Sequence, residues 1–145
     1  MDLDELIARE AVRDLVARYN ANADAGRFDE VVALFATDGV LELPAAQHVG
    51  RAAIAEMFRG VQGRVVDATP AGAPPYLRHL TSTLQIDLDD GEHAHSRCYF
   101  EVLMAHGLDH WGRYLDDFVR LDGTWRFARR RAITDGHHPD SPLAG

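Results

Sequence analysis

The feature that most restricts the fold is a change of hydrophobic period at Pro75. Before it, apolar residues recur three and four apart, the spacing that gathers side chains on one face of a helix. After it they alternate, the spacing that gathers them on one face of a strand. Leu6, Ile7, Ala11, Leu15, Tyr19 and Ala23 place one stripe along a helix from about Asp4 to Ala25, which Gly26 breaks. A second, shorter helix carries Asp29 and Glu30 in its first turn and Val31, Val32, Leu34 and Phe35 on its apolar side, and stops before Asp38-Gly39. Val40, Leu41 and Leu43 read as a short strand closed by Pro44. Arg51 to Val61 reads as a third helix with Ile54, Met57 and Phe58 facing inward, followed by a loop from Gly63 to Pro75.

In the alternating half, Leu80, Leu84, Ile86 and Leu88 share one parity, and Asp89-Asp90-Gly91 turns the chain into a second strand from Ala94 to Ala105. A third strand runs from about Trp111 to Leu121, and Asp122-Gly123 turns it into a fourth, Trp125 to Ile133. Helices followed by a meander of long strands define a segregated α+β domain, a cone in which a curved sheet wraps over the helices and leaves a pocket beside the first. We read residues 1–145 as one domain, since two cores in this length would each be too small. Residues 135–145 are polar and bear prolines, and form either a frayed end or a lid over the pocket.

Composition excludes several functions. All 15 basic residues are arginine, which removes Schiff-base chemistry and lysine bases. A net charge of −8 disfavours nucleic acid, and no apolar run is long enough to span a bilayer. The single cysteine, Cys98, cannot form an internal disulfide or a Cys-rich zinc site. His93 and His95, with His106 or His110, imitate a metal cluster but lack a spacing that guarantees convergent ligands, so no metal is expected. No glycine-rich phosphate loop or dinucleotide fingerprint is present, and no cofactor is expected. The acidic, amphipathic start resembles no export signal, which points to the cytoplasm.

A set of short motifs sharpens this. Arg18-Tyr19 is followed by Asp24 five residues beyond the tyrosine; Leu34-Phe35 precedes Asp38-Gly39; Gly50-Arg51 opens the third helix. Arg78-His79 begins the long strand, Gly112-Arg113-Tyr114 is followed by Asp116, and Asp122-Gly123 precedes Trp125. Together and in this order, over nearly the whole chain, they resemble the SnoaL-like branch of the nuclear-transport-factor-like superfamily. That branch includes scytalone dehydratase, bile-acid 7α-dehydratase and a hexachlorocyclohexane dehydrochlorinase. The resemblance implies a cone-shaped α+β barrel, with three N-terminal helices packed in a curved, mixed, mainly antiparallel sheet around an apolar cavity, often dimeric through the sheet. It also implies that Asp24 orients His79 as the proton-abstracting base. Tyr19 resembles the tyrosine that helps the departing oxygen in the bile-acid enzyme. Scytalone dehydratase has a tyrosine immediately before its aspartate, where this chain has Ala23, so its substrate does not transfer.

The residues themselves bear on these roles. Histidine, with an ordinary pKa near ~6.5, suits proton abstraction at neutral pH. In a plain strand His79 has the parity of Thr81, Thr83 and Gln85 and leaves the apolar face, unless a bulge intervenes. Tyr114 and Asp116 share a face and serve either the pocket or cross-strand pairing. In the run Arg129-Arg130-Arg131, Arg129 and Arg131 share the face of Trp125 and Arg130 points oppositely; the run is either a solvated part of the sheet or a source of one pocket residue, Arg131 or Arg130, that binds a carboxylate or carbonyl. The expectation is a cofactor-independent lyase, dehydratase-like, or an isomerase acting on a small, mostly apolar cyclic hydroxy or keto compound. Its catalytic residues would be His79, Asp24 and Tyr19; Tyr114, Asp116, Arg131, Phe35 and Phe58 would bind substrate, in a homodimer or higher homo-oligomer. The alternatives are a non-catalytic binding or dimerising module and the small subunit of a ring-hydroxylating oxygenase.

Overall fold

The computed structural model describes residues 1–143; residues 144 and 145 of the expected tail lie outside the described residues. In chain order the elements are α1 (Leu3–Asp24), α2 (Phe28–Val32), β1 (Phe35–Glu42), β2 (Gln47–Val49) and α3 (Arg51–Ala68). The long strands β3 (Leu77–Leu88), β4 (His93–Met104), β5 (Gly107–Leu121) and β6 (Thr124–His137) follow. Asp2 starts α1 through a reciprocal capping box with Glu5. Gly26 takes φ +75° just past its end, a conformation that a side chain would resist.

The strands form one mixed sheet in the order β2-β1-β6-β5-β4-β3, in which β1 runs parallel to β6 and every other pair is antiparallel. The sheet stays open, with β2 and β3 as its edges, and the helices pack on one side of it. Val12, Val16, Tyr19, Phe35, Leu41, Phe118 and Phe127 are core residues between the layers. No described helix is long and apolar enough to cross a membrane.

Several boundaries differ from those read in the sequence. The second helix ends at Val32, and Phe35 belongs to β1. The chain is captured there by sheet pairing, since the Phe127 N–H donates to the Leu34 carbonyl and Arg51 donates to that of Phe35. The third helix continues through Gly63 to Ala68. An internal glycine costs only about 1 kcal/mol, and burial of Val65 favours helix over loop. At the C-terminal end, Asp135, Gly136 and His137 continue β6 rather than fraying, because β5 begins at Gly107 and supplies partners as far as His110. The stripe on α1 is also displaced: Leu6 and Ile7 are exposed, and full burial begins at Val12.

Candidate active site

Asp24 is the last residue of α1, where the negative end of the helix dipole disfavours a lone carboxylate. It is not alone. Its Oδ2 accepts the backbone N–H of His79 at 2.8 Å, and its Oδ1 stands 2.6 Å from His79 Nδ1. A carboxylate facing Nδ1 places the ring proton there and leaves a lone pair on Nε2. The parity that would have turned His79 outward is reversed by a bulge between Ser82 and Gln85, where Thr83 adopts φ 57°. On the N-terminal side of that bulge the odd positions Leu77 and His79 face inward; beyond it the even positions Leu84, Ile86 and Leu88 do.

The dyad lies on the wall of an open-mouthed cavity of about 660 Å³ lined by α1, α3, the sheet and the neighbouring Phe28 and Leu43–Ala45. Phe28, Met57, Phe58, Val65, Leu77 and Phe100 supply apolar wall, and Tyr19, Asn20, Tyr114 and His110 bring polar groups to it. The extended C-terminal half of α3 contributes Val61 through Val66, apart from Gly63. Thr134, His137 and Leu143 reach the cavity from the C-terminal segment.

Of the residues expected to bind substrate, Tyr114 and Phe58 line the cavity, whereas Phe35, Asp116 and Arg131 do not. Phe35 is fully buried in the core against Tyr19 and Phe127. Arg131 faces the outer side of the sheet, half exposed and 3.9 Å from Glu42. A second bulge explains it: Phe118 pairs with Phe127 but Asp117 pairs with Arg129, so Ala128 is extra and the inward parity passes to Arg130. Arg130 is completely buried and grips Asp116 with two bonds of 2.8 Å. Its guanidinium lies over the rings of Tyr114, Tyr19 and Phe127 at 3.8, 4.2 and 4.7 Å. Burial opposes its charge, yet Asp116 holds its pKa above the ordinary value. This pair underpins the two cavity tyrosines. Burial pushes the Tyr19 hydroxyl up to about 12 and raises that of Tyr114 further, so both stay protonated O–H donors. Tyr114 donates to Asn20 Oδ1 at 3.4 Å.

His110 is a cavity residue that the sequence had offered only as part of an unconvincing metal cluster. Its parity with Tyr114 and its neighbour Asp109 carry the signal, but a strand read from Trp111 starts four residues after the true start at Gly107 and so leaves His110 outside it.

An open α+β cone whose apolar cavity presents a carboxylate-oriented imidazole defines a class, the small-molecule pocket domains of the nuclear-transport-factor-like fold. Within it, the SnoaL-like domain family matches residues 4–131, and the chain belongs to that family. No curated protein matches by sequence. Among solved structures, the chain is similar to a protein of unknown function from Mycobacterium tuberculosis (27% identity, TM-score 0.78), over 97% of this chain and 79% of that one. It shares its fold with the hexachlorocyclohexane dehydrochlorinase LinA-type3 from Novosphingobium barchaimii (17% identity, TM-score 0.80, 100% of this chain and 96% of that one). It likewise shares it with a candidate scytalone dehydratase from Novosphingobium aromaticivorans (22% identity, TM-score 0.79, 97% and 95%).

Proposed function

We propose that the protein is a cofactor-independent acid/base catalyst, a dehydratase-like lyase or a related isomerase, acting on a small, mostly apolar cyclic hydroxy or keto compound. The observation that carries this reading is the bond between Asp24 and His79 on the cavity wall. His79 Nε2 takes a proton from the carbon beside a carbonyl or leaving group, and Asp24 stabilises the imidazolium that results. Tyr19, kept protonated by burial, donates to the departing oxygen or the developing enolate. A carboxylate that fixes both the backbone N–H and the ring Nδ1 of His79, beside the protonated Tyr19 hydroxyl on the same cavity wall, favours this reading over a non-catalytic module.

The test is turnover of a panel of cyclic hydroxy and keto compounds. His79→Ala should lose about 10²–10⁴-fold in rate and Asp24→Asn less, both remaining folded. If both variants kept full turnover of a substrate, the reading would be abandoned. We also infer a second copy of the chain as partner, because Leu80, Tyr99, Trp111 and Leu115 are exposed together on the outer face of β3, β4 and β5. Analytical ultracentrifugation should find a homodimer; a monomer would contradict it.

A further inference from the structure

A second carboxylate-held imidazole lies in the same cavity, and proton abstraction by His79 makes no use of it. His110 on β5 and His79 on β3 both pair with Val102 of the intervening β4, so they occupy one row of the sheet. Their rings meet edge-on with centroids 6.5 Å apart. Asp109 is the extra residue of a bulge, since Val102 pairs with His110 and Leu103 with Leu108, and it is fully buried as a result. Its Oδ2 stands 2.7 Å from His110 Nδ1 and accepts from the Ser141 hydroxyl at 2.6 Å. His106 Nε2 stands 2.9 Å from its Oδ1, and the His138 N–H donates to its carbonyl at 2.6 Å. With its Oδ2 also held by the Ser141 hydroxyl, the carboxylate sets the tautomer of His110, with the proton on Nδ1 and a lone pair on Nε2. The titratable groups around the ring are Asp109, His79 and His137; burial outweighs the carboxylate and keeps His110 below its ordinary pKa, so it is neutral at pH 7. A neutral imidazole with a lone pair bordering an apolar cavity is a hydrogen-bond acceptor.

Resting on the reading of this cavity as a small-molecule site, we propose that His110 Nε2 accepts a hydroxyl of the ligand, which narrows the substrate class to compounds with an O–H donor on the same side as, and close to, the carbon that His79 attacks. Asp109 is the residue that positions it.

Equilibrium binding of 2-naphthol and of its methyl ether, 2-methoxynaphthalene, reads the donor directly, because the two differ in the hydroxyl proton. The wild-type protein should prefer the naphthol by about threefold to tenfold, the net worth of one hydrogen bond. His110→Phe should bind both alike, His110→Gln should recover part of the preference through its amide oxygen, and His79→Gln should keep it. Absence of a preference in the wild type, including absence of binding, overturns the proposal, as does a preference lost in His79→Gln and kept in His110→Phe. Independently of any ligand or variant, ¹⁵N NMR at pH 7 should show His110 neutral and protonated on Nδ1; a proton on Nε2 contradicts it. None of these readouts involves turnover, so they stand apart from the test of His79 as base.

Discussion

Asp24 with His79 and Asp116 with Arg130 are built from similar parts, a carboxylate held at two points by nitrogen donors. The first pair borders the cavity with side chains 10% and 17% exposed; the second is sealed, at 0% on both sides. In the sealed pair the two parallel bonds and the three aromatic rings enclose the charges, so no atom of the pair reaches the cavity. In the cavity pair the carboxylate uses one side of the imidazole and leaves the other nitrogen to a ligand. Burial, more than residue type, therefore separates a pair that supports the architecture from one that presents a ring nitrogen to the cavity.

Removing each carboxylate in turn separates the two pairs. Asp116→Ala strands a buried guanidinium and should cost about 3–5 kcal/mol in urea unfolding. Asp24→Asn keeps the shape of a partly exposed partner and should cost about 0.5–1.5 kcal/mol, the worth of a hydrogen bond. Equal losses would mean that both pairs are structural. The phenylalanines offer a similar contrast: Phe35→Ala opens a sealed core and should cost about 3–5 kcal/mol. Phe58→Ala only widens an existing cavity and should cost about 1.5–3 kcal/mol, both read from denaturation midpoints.

The smallest expected effect is an alkaline one. Tyr19 titrates at about 12 in the folded chain against an ordinary value of 10.0, so its stabilising share is complete below pH 10 and is lost as pH rises through 12. Unfolding midpoints at about pH 9 and pH 11 should fall more steeply in the wild type than in Tyr19→Phe, by up to ~1.4 kcal/mol per pH unit. Parallel slopes would place the Tyr19 hydroxyl outside the buried layer.

The sequence carried the element types because a 3.6-residue stripe and a strict alternation are strong, local signals. It carried Asp24 and His79 through their motif rather than through spacing, since a plain strand would have turned His79 to the outer face. What it could not carry is bulges. One inserted residue reverses the face of everything beyond it, and no pattern marks Thr83, Ala128 or Asp109 as the insertion. Those three positions decide that His79 faces inward, that Arg130 rather than Arg131 is buried, and that Asp109 stands behind His110. Phe35 looks helical in the sequence for a related reason, since the pairing that makes it a strand residue comes from β6, some ninety positions away.

As proposed, Asp24 and His79 form a proton-abstracting dyad on a cavity sized for a small cyclic compound. Hydrogen–deuterium exchange at the acidic carbon of 2-tetralone in D₂O, followed by proton NMR, reads that step without requiring the natural substrate. The wild-type protein should accelerate exchange over buffer, Asp24→Asn should slow it, and His79→Gln should return it to the buffer rate. Exchange that is as fast in His79→Gln as in the wild type, or no acceleration at all, would contradict the claim.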